Sequence, residues 1–134
     1  MCEYLFKYML KQKKLSDKFN VKSCGIYAVN NSPATEHVIE LLKNFDKDIK
    51  NHKASNISKQ LVSEANYIFT LDKVILKYVK NTFNQDISDK IECINQNGIF
   101  DPYGSSLNTY KQCLSEIKNS LDIILDDIIK NEKL

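Results

Sequence analysis

The chain's 134 residues are enough for one hydrophobic core and too few for two ordinary ones. A hydrophobic fraction of 43% beside 27% charged residues excludes a disordered chain, and no stretch approaches the roughly 18 apolar residues of a membrane span. A net charge of +2, with no basic cluster interleaved with aromatics, argues against nucleic acid as a partner.

Met1-Cys2-Glu3-Tyr4-Leu5-Phe6-Lys7 shows no basic region followed by an apolar block, so no signal peptide is expected and the cytoplasm is the expected location. Residues 2–15 are predicted helical, with Cys2, Leu5, Phe6, Met9 and Leu10 on one stripe. No capping residue precedes this helix, so the domain is expected to begin inside an element. Val21 to Ile26 reads as a short strand ending at Gly25. Ser32 is then expected to cap a helix with Pro33 at its first position, its face formed by Ala34, Val38, Leu41, Leu42 and Phe45.

A shorter helix is predicted over Ile57–Ala65 with Ser58 as its cap. Tyr67–Leu71 is β-branched and aromatic, hence a strand. Asp72 caps the next helix, which carries Val74, Ile75, Tyr78 and Val79. Ile91–Ile94 is a further strand, and a loop follows through Asp101-Pro102-Tyr103-Gly104. The final helix is the strongest pattern: Leu107, Tyr110, Leu114, Ile117, Leu121, Ile124 and Ile128 step by three and four. The alternation of helix and strand predicts an α/β domain, three-layered and doubly wound around a parallel sheet.

All nineteen basic residues are lysine. With abundant asparagine and isoleucine this suggests an AT-rich genome. It also closes any mechanism that needs a planar guanidinium to grip phosphate with two parallel hydrogen bonds. The four cysteines, Cys2, Cys24, Cys93 and Cys113, form no C-x-x-C pair, and neither His37 nor His52 lies near one. Neither a zinc site nor any other metal or cofactor is expected; reduced, half-buried thiols are.

The segments VKSCGIYAVNNSPATEHVIELL, IKNHKASNIS, EANYIFTLDKVI and GIFDPYGSSLNTYKQCLSEI resemble, in order, the body of the low molecular weight protein phosphatases. That family includes phosphotyrosine and phosphoarginine protein phosphatases. The resemblance spans residues 1–134 as a single domain, and DPYG followed by a tyrosine-bearing helix is its most specific part. MCEYLFKYML resembles the helix that follows the family's phosphate-binding signature, C-x5-R-[ST]. In that signature the cysteine is the nucleophile and backbone amides cradle the phosphate. Here the residues six positions after the cysteines are Tyr8, Asn30, Ile99 and Asn119, none of them arginine. The resemblance therefore implies that about 15 residues, one central strand and the phosphate loop, would belong ahead of Met1.

Residue by residue, the resemblance makes Asp101 the general acid, although Asp-Pro alone is also an ordinary turn dipeptide. Tyr103 matches a position lining the substrate mouth, or a packed loop aromatic. Ser23 matches a serine that supports the phosphate loop. Cys24 stands where the family carries a small alanine, and His52 matches a structural histidine. Ser55 stands where eukaryotic members carry arginine, which with NHKAS points to the bacterial branch.

Two functions are expected to compete. One is a cysteine-dependent phosphatase acting on phosphorylated protein side chains, inactive as written for want of nucleophile and arginine. The other is a non-catalytic, phosphatase-like binding or regulatory protein. Loss of a central strand would leave two strand edges unpaired, at about 1–3 kcal/mol per buried group. That favours a decayed or incomplete enzyme over a purposeful binding protein. Arsenate reduction on the same fold would need closely spaced cysteines, and Cys93 and Cys113 lie twenty apart.

Overall fold

The computed structural model describes residues 1–83 and 87–134. Helix α1 (Cys2–Gln12) is followed by a long irregular segment, helix α2 (Glu36–Leu42), a short 3-10 helix (Lys47–Asn51) and helix α3 (Lys59–Glu64). Strand β1 (Ile68–Thr70), helix α4 (Lys73–Phe83) and strand β2 (Ile91–Cys93) form a β-α-β unit, and helix α5 (Leu107–Glu132) closes the chain. The strands pair in parallel, Ile68 opposite Ile91 and Thr70 opposite Cys93. A helix between them is what a parallel pair requires.

The sheet separates two apolar layers. Leu5, Met9 and Leu10 of α1 pack with Cys113, Ile117, Leu121 and Leu125 of α5, and Tyr67 and Phe69 reach this layer from the sheet. On the opposite face Val62, Val79, Ile87 and Ile91 form a second cluster that takes Ile68. This is the three-layer α/β arrangement predicted. A third cluster, Tyr4, Val38, Leu42, Ile49 and Tyr110, seats α2 and the 3-10 helix beside α1 and α5.

Three boundaries differ from the sequence expectation. The predicted strand Val21–Ile26 forms no ladder; Gly25 makes a single parallel bridge to Asn56. The backbone N–H of Ser23 goes instead to the carboxylate of Glu3, 3.0 Å away, so it is not available to a strand partner. Helix α2 begins at Glu36 under a Thr35 cap, not at Pro33 under Ser32. Ser32 is held in a cross-chain turn, its carbonyl accepting from Ala54 N–H at 2.7 Å, so helix can start only beyond it. Helix α1 stops at Gln12. Lys14 adopts a left-handed conformation (φ 59°), and Leu15 N–H bonds back to the Leu10 carbonyl at 2.8 Å, the closing geometry of a Schellman turn.

Ser58 and Asp72 cap as expected, and Ser106 caps α5. Ser58 Oγ accepts from Leu61 N–H at 3.2 Å, Asp72 Oδ1 from Ile75 N–H at 2.7 Å and Ser106 Oγ from Thr109 N–H at 3.4 Å. The end of α3 carries a cap the sequence did not announce. Lys90 Nζ donates to the carbonyls of Val62 (2.7 Å) and Ala65 (2.9 Å), with Ser63 at 3.4 Å. A cation on the last carbonyls of a helix satisfies their orphan lone pairs and the negative end of its dipole.

The register leaves one feature open. Ile68 N–H donates to Lys90 and the Thr70 carbonyl accepts from Ile94 N–H, each at 2.7 Å. Both residues therefore face β2, and in a parallel ladder the intervening Phe69 turns its N–H and C=O to the opposite edge. No described residue pairs with it there.

Candidate active site

The loop 100–105 leaves β2 and enters α5. Its entry is fixed by buried Ile99, whose N–H donates to the Leu71 carbonyl at 2.7 Å. Gly98, at φ 75°, is required just before it, because a Cβ there would lie 3.1 Å from that same carbonyl oxygen. Asp101 is exposed and Pro102 beside it is buried. Asp101 Oδ1 accepts from Tyr103 N–H at 3.0 Å, an Asx turn, and Ser105 N–H closes on the Pro102 carbonyl at 2.8 Å. The Asp-Pro turn is thus a real turn, and it aims a free carboxylate oxygen at solvent. Tyr103 is 78% exposed. It borders an open cleft of about 410 Å³ shared with Thr35, Glu36, His37 and Tyr110, where the His37 and Tyr110 rings lie 5.0 Å apart.

Ser23 sits elsewhere, against the first turn of α1. Its Oγ donates to Glu3 Oε1 at 2.7 Å and its N–H reaches the same oxygen. Burial alone would push the Glu3 carboxyl up, but hydrogen bonds from Lys7 and Ser23, with the charge of Lys7, hold it below its ordinary value. Nothing among the described residues accepts from the amides of Glu3 and Tyr4; they form the positive end of the helix. The start of α1 and the Asp101 loop meet at Cys113. Cys2 and Cys113 belong to one apolar layer. Burial, then the charges of Glu116 and Asp101, raise the Cys113 thiol, and burial raises Cys2, with Cys113 adding to it.

The other expected roles fall outside this region. Cys24 is exposed, so it does not replace a packed alanine. His52 is structural: its Nδ1 lies 3.2 Å from Tyr4 Oη and its ring stands edge-on to that tyrosine. A larger groove of about 870 Å³ runs beside α1, lined by Lys7, Lys11, Lys43 and Lys47 together with Asp46 and Asp48; none of the candidate residues reaches it. Among the described residues no cluster of three His, Cys, Asp or Glu side chains could hold a metal, and no helix is long and apolar enough to cross a membrane.

The family model described as low molecular weight phosphotyrosine protein phosphatase matches residues 1–134. The chain belongs to that family. Among curated relatives, the protein-arginine-phosphatase of Bacillus subtilis (strain 168) is 27% identical over 140 residues, covering 99% of this chain and 90% of the relative. A solved YwlE arginine phosphatase with a phosphorylated active-site serine superposes at a TM-score of 0.86 with 25% identity, covering 98% of this chain and 88% of that one. The low molecular weight protein tyrosine phosphatase of T. tengcongensis superposes at 0.85, with 23% identity and coverage of 94% and 88%, and shares the fold. Low molecular weight phosphatases are cysteine-dependent and act on phosphorylated proteins, and the parallel sheet with its flanking helices is their scaffold.

The residues that organise the site but carried no motif are Glu3 and Cys113. Glu3, an acidic residue in the first turn of an uncapped helix, was the detectable one. Cys113 had no signal beyond its place on the apolar face of α5.

Proposed function

We propose that residues 1–134 carry the acid side of a phosphatase site for phosphotyrosine or phosphoarginine side chains, and that this chain alone does not turn substrate over. Asp101 is the general acid. It protonates the leaving oxygen or nitrogen as a cysteine thiolate takes the phosphoryl group, then accepts a proton from the water that hydrolyses the phosphocysteine. Tyr103 lines the substrate mouth, and Ser23 steadies the first turn of α1, onto which a phosphate loop leads. The observation that carries this reading is the Asp101 turn, which presents a carboxylate on a hydrogen-bonded turn beside an aromatic-lined cleft.

The proposal that these 134 residues alone are inactive rests on their residue inventory. No arginine is present and no cysteine has the C-x5-R spacing, so Asp101 has no phosphoenzyme to serve. The relatives' names support phosphoarginine or phosphotyrosine proteins as substrates.

The test is hydrolysis of p-nitrophenyl phosphate by the purified 134-residue chain. The expected rate equals the buffer blank. Turnover that disappears in Asp101→Asn would overturn the claim of inactivity. Tight binding of phosphopeptides without turnover would replace it with the binding-protein reading.

A further inference from the structure

The exposed Asp101 turn needs an anchor that its own side chains do not supply. Phe100, immediately before it, is 68% exposed, and Tyr103, just after Pro102, is 78% exposed. Two aromatic side chains that face water cannot hold a loop in place. What reaches Phe100 is Cys113, on the second turn of α5 and only 3% exposed. Its Sγ lies 2.9 Å from the Phe100 carbonyl oxygen, and as that carbonyl has no proton to give, the thiol is the donor.

We propose that Cys113 is the positioning residue of the acid loop: its thiol fixes the peptide preceding Asp101 to α5 and thereby sets where the Asp101 carboxylate stands. The loop is then held at three successive points. Ile99 bonds the Leu71 carbonyl, Phe100 takes the Cys113 thiol, and Pro102 is buried while its carbonyl accepts from Ser105. Of the three, the middle point is the hydrogen bond to α5, the helix that packs directly on α1. The thiol therefore adds a directional bond between the peptide preceding Asp101 and the helix that packs on α1. The thiol stays protonated, and so stays a donor, because burial and then the charges of Glu116 and Asp101 disfavour the thiolate. The catalytic meaning of this anchor rests on Asp101 being the acid; the anchor itself does not.

Amide hydrogen exchange on the 134-residue chain tests it. Cys113→Ala, which is smaller, and Cys113→Val, which is larger, both remove the donor and bracket the volume of the thiol; Cys113→Ser keeps a donor. Exchange at Tyr103 and Ser105 is expected to quicken roughly 3–10-fold in the Ala and Val chains, the effect of one lost hydrogen bond. Amides of β1, β2 and mid-α5 should change less than about twofold, and Cys113→Ser should restore the loop. Unchanged loop exchange in either donorless variant, or a uniform rise across the molecule that Ser does not reverse, overturns the anchor. Asp101→Asn preserves the loop's acceptor and should leave exchange at wild-type rates; because exchange reads the loop without turnover, a failed anchor is distinguishable from a misassigned acid.

Discussion

Glu3 takes both the backbone N–H and the hydroxyl of Ser23 on one carboxylate oxygen, at 3.0 and 2.7 Å, while its other oxygen holds Lys7 Nζ at 2.6 Å. The contact joins residues twenty apart and ties the irregular segment after α1 back onto its first turn. It also explains why Val21–Ile26 is not a strand. A charge-assisted bond at the positive end of a helix outweighs a ladder bond with no neighbour to receive it.

Glu3→Ala should therefore cost about 1–3 kcal/mol in urea unfolding, the range for hydrogen bonds to a half-sheltered charge. The cost depends on pH. Because the folded carboxyl titrates below the ordinary value of 4.5, an acidifying solution protonates the unfolded chain first, and stability falls with falling pH. The difference between wild type and Glu3→Ala should be full above pH 4.5 and shrink as pH drops through the lower folded value. A difference that stays constant through that window would show the carboxylate to be unlinked to folding.

Lys90→Met should destabilise by about 1–3 kcal/mol, since it strips the donor from the Val62, Ser63 and Ala65 carbonyls at the end of α3. The methionine keeps most of the stem, so lost packing contributes little. The check is a denaturation midpoint together with exchange at Ala65, which should quicken first. A midpoint within error of wild type would show water replacing the ammonium at no cost.

Lys14→Gly should raise stability by about 1 kcal/mol. Lys14 occupies the left-handed position that closes α1, where a side chain is strained by roughly 1–2 kcal/mol and glycine is not, less the entropy that glycine adds to the unfolded chain. A rise of a few degrees in the thermal midpoint is the expected reading. Lys14→Val should move it the other way.

A family-type strand and C-x5-R-S-P segment placed ahead of Met1 should pair the open edge at Phe69 and raise the thermal midpoint. The added loop would run directly into α1. Removing Asp101 from the extended protein should lower kcat by roughly 10²–10⁴, the scale of a positioned general acid. An extended protein that binds phosphate and hydrolyses equally well without Asp101 would show that the acid lies elsewhere.

Local chemistry alone determined the elements whose signals lie within one turn. The caps at Ser58 and Asp72, the two short strands and the 26 residues of α5 were legible because hydrophobic period and capping act over three or four residues. Asp101 and Tyr103 were legible as a loop for the same reason. What only the tertiary structure decided involves partners distant in sequence. Ser32 lost its cap role to a turn bonded to Ala54, Ser23 gave its N–H to Glu3, and Lys90 reached across to α3. Cys113, a thiol indistinguishable in sequence from any other core cysteine, became the donor to Phe100. Propensity is a local sum, whereas a buried or orphaned polar group takes whichever partner the packed chain brings within 3 Å, and no pattern along the chain encodes that choice.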